Sequence, residues 1–309
     1  MEILLIILLA LVLDLTLGEP PPVLHPVVWM GKLASFLLKG NRSHSSVIQF
    51  LYGVGIVVVT LGGFVVPVFF GLAYLKNLSP VAYVVTGAVL LKTSFALKEL
   101  RRSALKIKHL LVKDNLDEAR FELRSLVGRD TSQLDKVLMV SATIESIAEN
   151  SCDSFVAPLF YFLFFGVPGA IGYRVINTLD AMIGYHGEFE HLGKFAARLD
   201  SVANFVPARI TALLIVLAAW IRKRDASMAW RMMLRDRKKT ESPNAGWTMS
   251  AIAGALGVRL EKVGYYRLGD NHYPLITSTM DSSLQIIMTS AFIWSILIIM
   301  AEAIYHVAT

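Results

Sequence analysis

Three carboxylates stand at four-residue intervals near the middle of the chain, at Glu145, Glu149 and Asp153. On a helix this spacing places all three on one face. Carboxylate oxygens are the ligands that magnesium prefers, and bound magnesium commonly bridges to phosphates. A solvated helix face is the alternative interpretation, but like charges four residues apart repel one another without a counterion. We therefore predict a magnesium site here, with Asn150 beside it.

Further polar motifs follow the carboxylate stripe. Arg209 interrupts an apolar run, where a charged side chain is costly and is usually paired or functional, and the forked guanidinium of arginine suits phosphate binding. Each motif also has a structural alternative. Arg209 could reach the membrane interface from a helix end, the motif at 177–180 could be a helix-capping turn, and the motif at 242–246 could be an ordinary loop. The residues of these motifs that can bind a substrate or carry charge are Asn177, Asp180, Arg198, Asp200, Asn204, Arg209 and Asn244.

The start of the chain adds two candidate residues, Asp14 within an apolar run and His25 between prolines. An ionisable residue inside a membrane segment is by default a candidate functional residue. Histidine can move protons near neutral pH, although a single histidine in a proline-rich loop is more often structural. Because Glu2 replaces the basic start of a secretory signal and no cleavage motif follows, we expect a retained membrane segment here.

The composition is that of a membrane protein. Of the 309 residues, 55% are hydrophobic and only 17% are charged, and the mean hydropathy is +0.56. The formal net charge is +6, but the basic residues lie between apolar runs and not in aromatic patches, so we expect lipid and not nucleic acid as a partner. The single cysteine, Cys152, excludes an internal disulfide and a CxxC motif.

Six apolar runs predict an all-α integral membrane protein with four to six transmembrane helices. Residues 50–75, 154–173 and 282–301 contain no charge, whereas 3–17, 79–97 and 205–221 contain Asp14, Lys92 and Arg209, respectively. We expect one membrane-embedded domain over residues 1–309. Its loops at about 98–153 and 222–281 carry ten and eleven basic residues, which predicts a cytoplasmic location for them. Helical spacing of apolar residues predicts amphipathic helices in these loops.

The run at 154–173 is broken by Gly166-Val167-Pro168-Gly169. Glycine and proline favour a turn, so we predict two short helices that fold back as a re-entrant hairpin, with 205–221 re-entrant or horizontal as well. Such a hairpin would return the motifs around Glu149 and Asp180 to the same face of the membrane.

Taken together, the motifs resemble the adenosylcobinamide-phosphate synthase family of cobalamin biosynthesis, the CobD/CbiB proteins. The matching stretches run nearly from end to end and occur in the same order, although Ser201 stands where the family usually has a second aspartate. They are LDLTLGEP and HPVVWMG within 13–31, SATIESIAENSCDSFVAPLFYFLFFGVPGAIGYRVINTLDAMIGY at 141–185, ARLDSVANFVPARITA at 197–212, SPNAGW at 242–247 and GALGVRLEKVGYY at 254–266.

The resemblance implies a ligase of the prokaryotic cell membrane that joins adenosylcobyric acid to aminopropanol phosphate, with ATP as co-substrate. Magnesium would neutralise the phosphate charge, and the candidate ligands are Glu145, Glu149, Asp153 and Asp180. Of these, Glu149, Asp153 and Asp180 are also candidate catalytic residues, together with Asp200 or His25 to take the amine proton. The candidate ligands of substrates and phosphates are Asn150, Asn177, Arg198, Asn204, Arg209 and Asn244. The chain has no GxxxxGK[ST] loop for ATP.

Two other functions use the same features. A transporter of a corrinoid or another small molecule would also place ionisable residues in broken apolar helices. A membrane regulator or scaffold would not need the acidic stripe and both arginine motifs together.

For the ligase that the resemblance implies, we also expect corrinoid and amino-alcohol phosphate as substrates, and a homo-oligomer or an association with other membrane enzymes of the pathway.

Overall fold

The computed structural model describes residues 1–40, 45–185, 187 and 189–308. Helices dominate, with one small sheet. The elements, in chain order, are α1 (Glu2–Thr16), a 3₁₀ turn (Pro22–Leu24), α2 (Pro26–Leu38), α3 (Ser46–Leu78), α4 (Pro80–Lys92), α5 (Leu97–Val112), α6 (Leu116–Leu123), α7 (Lys136–Ser151), a π-helical turn (Cys152–Val156), α8 (Ala157–Ile183), α9 (Lys194–Ala203), α10 (Phe205–Ile221), α11 (Ala226–Asp236), α12 (Ala245–Leu256), β1 (Leu260–Lys262), β2 (Tyr266–Leu268) and α13 (Thr277–Ala308).

Four helical segments in the described part of the chain are long and apolar enough to cross a membrane. A fifth span results if α9 and α10 are one broken span. These numbers confirm the predicted all-α membrane fold with four to six spans. The apolar run at 3–17 forms α1, which has only 15 residues and is shorter than the four candidate spans. The four segments are Ser46–Leu78, Pro80–Val112, Lys136–Ile183 and Thr277–Ile304.

The chain forms two compact units, each assembled from separate segments. The first unit comprises residues 1–96, 157–204 and 298–309, and the second unit comprises residues 97–156 and 205–297. Neither unit is one continuous stretch of sequence, and the prediction of a single domain stays a prediction.

In the first unit, α1 packs against α4, and α8 packs against α2 and α3. Close approach of these helices depends on small residues. A Cβ atom on Gly87 of α4 would press on the Ile6 side chain of α1, and one on Gly53 of α3 would collide with the Leu192 backbone. Both glycines therefore set how closely their neighbours lie.

Helix α8 folds back on itself at Gly166, as the Gly-Val-Pro-Gly motif predicts. Gly166 has φ +64° and ψ −160°, a conformation that is essentially restricted to glycine. The Tyr161 and Tyr173 rings stack with their centroids 5.3 Å apart, whereas twelve residues of continuous helix would separate them by about 18 Å. Gly169 also lies so close to the Tyr161 carbonyl oxygen that a Cβ would not fit. The fold-back is confirmed, and its position relative to a membrane remains a prediction.

The second unit has a core of mainly aliphatic side chains between its helices. Helices α11 and α12 pack closely because Gly254 of α12 allows contact with the α11 backbone at Met228 and Ala229. Buried apolar residues of α7, α10, α12 and α13 complete this core, among them Ile144, Ile147, Ile215, Ile252 and Ile286.

The loop predictions were right in outline and incomplete in detail. Helix α5 is the first of the two expected amphipathic stretches between 98 and 153. Helix α7 forms at the second, but its residues 139–148 are all buried, so it is a core helix and the amphipathic prediction was wrong there. Helix α6 between them was not predicted. The basic stretch 222–239 contains α11, as expected. The antiparallel pair β1–β2, in which Leu260 faces Leu268 across the ladder, was also not predicted.

Candidate functional site

Glu145, the first carboxylate of the stripe, is engaged by protein groups of the second unit. Its carboxylate pairs with Arg129 at 2.9 Å and accepts hydrogen bonds from the hydroxyls of Ser141 at 2.6 Å and Tyr266 at 2.9 Å. The Ser141 hydroxyl in turn accepts from the Glu261 backbone N–H of β1. Burial, together with the nearby Glu145 charge, raises the pKa of Tyr266 above its usual range. Glu145 thus fastens α7 to β1 and β2, which argues for a structural role.

Glu149 and Asp153 lie one turn apart where α7 passes into the π-helical turn, and both are half-buried. π-Helical turns occur frequently at functional sites. Asn150 directs its amide back to Ser146 of the same helix, at 3.0 Å from both the carbonyl and the hydroxyl oxygen. No group of three or more His, Cys, Asp or Glu side chains that could hold a metal occurs among the described residues.

A magnesium site built from fewer protein ligands is compatible with this arrangement. Magnesium usually binds through one or two carboxylates and completes its shell with water and substrate phosphates. Glu149 and Asp153 supply two carboxylates of this kind. Asp180 belongs to the first unit, where it lies half-buried in the last turn of α8, and its role as a ligand stays a prediction.

The structure brings two predicted phosphate ligands together in the second unit. Arg209 Nη1 donates to Asn244 Oδ1 at 2.6 Å and to the Phe205 carbonyl at 2.8 Å. Its guanidinium carbon lies 3.7 Å from the centre of the Phe205 ring and 4.8 Å from the Trp247 ring. Two hydrogen bonds and two aromatic rings thus hold Arg209 in place, and its role as a phosphate ligand stays a prediction.

Sequence reasoning missed two residues of this cluster. The Arg237 guanidinium carbon lies 4.6 Å from the Trp247 ring centre, so that one indole faces two cations. A signal for Trp247 was present, since it ends the SPNAGW motif, three residues after Asn244. Arg237 stood in a general basic stretch with nothing to single it out.

In the first unit, a polar group joins the return arm of α8 to α9. Asn204 donates to Asp200 Oδ2 at 3.0 Å and accepts from the Tyr173 hydroxyl at 2.8 Å. The other Asp200 oxygen, Oδ1, is buried and has no hydrogen-bond donor in the described part of the chain. Asn177 accepts from Arg174 at 3.2 Å. The structure thus places Asp200 and Asn204 together, as the sequence motif suggests.

Arg198 lines a separate cavity of about 230 Å³ in the first unit. Lys194, Tyr185 and Ser201 also line it. The wall of the cavity carries two cations, Arg198 and Lys194, and one carboxylate, Glu190. The role of Arg198 as a ligand of an anion stays a prediction, and sequence reasoning did not single out Lys194 beside it.

His25 belongs to a charge network between α1, α2 and α4 of the first unit. Its Nδ1 accepts from the Val27 backbone N–H at 3.2 Å and caps α2, and its Nε2 lies 2.6 Å from Glu19 Oε2. Lys92 Nζ donates to Glu19 Oε1 at 2.5 Å and lies 3.3 Å from Asp14 Oδ1.

The hydrogen bonds of this network set its protonation. Because the Val27 N–H donates to Nδ1, the ring proton of neutral His25 is on Nε2 and points to Glu19, so both nitrogens are occupied. Burial raises the pKa of Glu19, but the hydrogen bonds from His25 and Lys92 outweigh it, and the pKa lies below its usual range. To act as a base, His25 would first have to give up its helix cap.

The chain is similar along nearly its whole length to proteins of one family. The family described as "CobD/Cbib protein" matches residues 7–292. "Cobalamin biosynthesis protein CobD" of Dehalococcoides mccartyi (strain CBDB1) is 51% identical, over 95% of this chain and 96% of the relative. "Probable cobalamin biosynthesis protein CobD" of Methanothermobacter thermautotrophicus is 40% identical, over 92% and 94%. A second "Cobalamin biosynthesis protein CobD", from Photorhabdus laumondii, is 37% identical over 91% of this chain and 92% of the relative. No solved structure matches the chain.

Proposed function

Because the chain belongs to the CobD/CbiB family of cobalamin biosynthesis proteins, we propose that it is the ligase that forms adenosylcobinamide phosphate. The reaction joins a propionate carboxylate of adenosylcobyric acid to the amine of aminopropanol phosphate, with hydrolysis of ATP. The observation that carries this proposal is the match to the family from residue 7 to residue 292, a range that includes every candidate site residue. The active-site loops would face the cytoplasm of a prokaryotic cell.

Amide formation from a carboxylate needs an activation step. In the proposed sequence a carboxylate oxygen attacks the γ-phosphorus of ATP, and ADP leaves with the electrons of the broken P–O bond. The amine nitrogen then attacks the acyl carbon, inorganic phosphate leaves, and the amine proton passes to a base. Each step needs cations near the phosphates, because negative charge gathers on the transferring and leaving oxygens.

The residues of the second unit suit the phosphate chemistry. Arg209, fixed by Asn244 and by the Phe205 carbonyl, presents its remaining N–H groups to a phosphate. Glu149 and Asp153 would hold magnesium, which when bound neutralises phosphate charge and orients the leaving group. Glu145 is not assigned as a magnesium ligand, because its carboxylate is already bound by Arg129 and Tyr266.

Asp200 fits the role of proton acceptor better than His25. Asp200 Oδ1 makes no hydrogen bond among the described residues, so a proton there would leave the Asn204 hydrogen bond to Oδ2 in place. The Asn177 side chain is the other group that stabilises the charged carboxylate. His25 cannot take up a proton in this way, since its Nδ1 caps α2.

A product assay tests the proposal. Purified protein in detergent receives adenosylcobyric acid, aminopropanol phosphate, ATP and magnesium, and mass spectrometry follows the corrinoids. We expect adenosylcobinamide phosphate, with a rate that falls by about 10–100-fold in Glu149→Gln, the loss typical of a perturbed metal site. The matched control is Glu118→Gln, which changes an exposed glutamate of α6 and should keep the wild-type rate.

Two outcomes would contradict the ligase. No product from well-folded protein, with ATP unchanged, would exclude this reaction with this amine. Accumulation of unmodified corrinoid inside proteoliposomes would favour the transporter in its place, and an unimpaired Glu149→Gln/Asp153→Asn double variant in a cell that depends on the protein would favour the scaffold.

A further inference from the structure

Trp247 holds two positive charges near each other in the second unit. The guanidinium carbons of Arg209 and Arg237 lie 4.8 and 4.6 Å from the centre of its ring, so their separation cannot exceed the sum of these distances. Stacking on the indole is favourable for each guanidinium, but it forces two like charges to share one small region.

The backbone fixes both arginines in this position. Arg209 is the fifth residue of α10 and is tied to Asn244, the residue that precedes α12. Arg237 directly follows α11, and its carbonyl oxygen approaches Gly246 so closely that a Cβ on that residue would collide with it. The cluster therefore depends on the packing of α10, α11 and α12, and not on mobile surface side chains.

Carboxylates of the described residues do not compensate this positive charge. Neither guanidinium forms an ion pair with a carboxylate in the described part of the chain, and Asp236, next to Arg237, is taken by Arg235, Lys239 and the Gly269 backbone N–H. The start of α12 adds the positive end of a helix dipole. The Asn244 side chain does not cap that helix, because its oxygen accepts from Arg209.

We propose that Arg209 and Arg237, spaced by Trp247, bind the polyphosphate of a nucleoside triphosphate. Each guanidinium fork takes one phosphate group in a bidentate contact. The two guanidinium carbons lie no farther apart than the sum of 4.8 and 4.6 Å, so the two forks can reach two groups of one polyphosphate chain, whereas a phosphomonoester offers only one group. This inference rests on the proposed function, and it assigns ATP to the second unit of a chain without a GxxxxGK[ST] loop. Trp247 is a positioning residue in this site.

Equilibrium binding to the full-length protein tests the site without any need for catalysis. Isothermal titration measures the affinity for β,γ-imido-ATP, ADP, AMP and aminopropanol phosphate, each with EDTA present, so that a magnesium-binding carboxylate does not contribute. We expect affinity to fall from the triphosphate to AMP. Arg237→Ala should weaken β,γ-imido-ATP binding by roughly tenfold to a hundredfold, the effect of losing a hydrogen bond to a charged group, and should weaken aminopropanol phosphate binding less than about threefold.

Matched variants separate recognition from charge and from folding. Lys238→Ala removes a neighbouring exposed cation and should change the affinity for β,γ-imido-ATP less than about threefold. Arg237→Lys keeps the charge but not the fork, and should lie between wild type and Arg237→Ala. Trp247→Leu should weaken the binding of β,γ-imido-ATP more than that of AMP, and Trp247→Phe should restore most of it.

Two results would refute the site. One is that Arg237→Ala and Lys238→Ala have the same affinity for β,γ-imido-ATP. The other is that Arg237→Ala lowers the affinity for aminopropanol phosphate more than the affinity for β,γ-imido-ATP. If Arg237→Ala does not fold, wild-type affinity of Arg237→Lys for β,γ-imido-ATP would refute the site as well. Failure of the ligase proposal looks different. If no amide product forms but nucleotide binding still depends on Arg237, the ligase proposal is refuted and the nucleotide site is retained.

Discussion

Replacement of Lys92 with methionine removes the cation that Asp14 and Glu19 face in the first unit. The lysine nitrogen lies 2.5 Å from Glu19 Oε1 and 3.3 Å from Asp14 Oδ1, and the three side chains are 6%, 22% and 2% exposed in the order Lys92, Glu19, Asp14. Methionine has a similar length and suits an apolar environment, so the variant changes mainly the charge. It leaves two neighbouring carboxylates without their shared partner.

The expected cost follows from what these carboxylates must then do. Breaking a buried ion pair by removal of one partner costs about 3–5 kcal/mol. A carboxyl group avoids this penalty if it takes up a proton. Protonation costs about 1.36 kcal/mol for each pH unit above the ordinary pKa of the group, which is roughly 4 kcal/mol at pH 7. The two figures agree. Because the folded variant then binds more protons than its unfolded chain, the deficit grows with rising pH and shrinks toward pH 4.

Thermal unfolding in detergent between pH 5 and pH 8 measures this deficit. We expect a lower midpoint by roughly 5–15 °C at pH 7 and a much smaller loss at pH 5. The matched control is Lys76→Met, whose lysine is 59% exposed and lies 3.8 Å from Glu2; it should cost less than about 1 kcal/mol. Asp14→Asn added to Lys92→Met should recover part of the loss. A Lys92→Met variant as stable as Lys76→Met, or a deficit independent of pH, would refute the reasoning.

Two further predictions concern backbone and anchor residues. Gly166→Ala should cost about 1–3 kcal/mol in thermal unfolding because alanine strains at φ +64°, whereas Gly62→Ala, where the new methyl meets open space within α3, should be neutral or stabilising; equal effects would contradict the turn. The Asp236 side chain is fully buried, and although burial raises its pKa, contacts with Arg235, Lys239 and the Gly269 N–H lower it to about 2. A carboxyl with a depressed pKa stabilises the fold above its unfolded pKa, so Asp236 should contribute about 2.5 kcal/mol above pH 4 that is lost as the pH falls toward 2; Asp236→Asn should abolish that part of the pH dependence, and an unchanged acid profile would contradict it.

Structural features that depend only on residues adjacent in the sequence were predictable from it. The fold-back at Gly166 follows from a local Gly-Val-Pro-Gly turn, because only glycine tolerates the conformation required there. Long apolar runs likewise give the spans, since a helix must cross the hydrocarbon core. Helix α6 and the β1–β2 pair escaped prediction because both are short, and β1–β2 is held from outside by the contacts of Ser141 and Glu145.

Partners far apart in the sequence could be nominated but not paired. Asp14 and Lys92 each stood out as charges within apolar runs, yet their contact depends on the packing of α1 against α4. Arg209 stood out for the same reason, whereas Arg237 did not, because its role arises only where the start of α12 brings Trp247 to both arginines. Spacing along a chain defines a helix face, but it does not say which other helix covers that face.

The carboxylate stripe shows this limit most directly, and it can be tested. Glu145 and Glu149 are equivalent by spacing, yet Glu145 is buried against Arg129. Glu145→Gln leaves this arginine, which is only 13% exposed, without its carboxylate and should cost about 3 kcal/mol of stability. Glu149 is less buried than Glu145, so Glu149→Gln should cost less stability than Glu145→Gln and should remove most product formation. Thermal unfolding and the product assay, run on both variants, should therefore give opposite patterns. A Glu145→Gln protein that unfolds like wild type but forms no product would instead make Glu145 a metal ligand, and the pair with Arg129 would then be a contact that magnesium displaces.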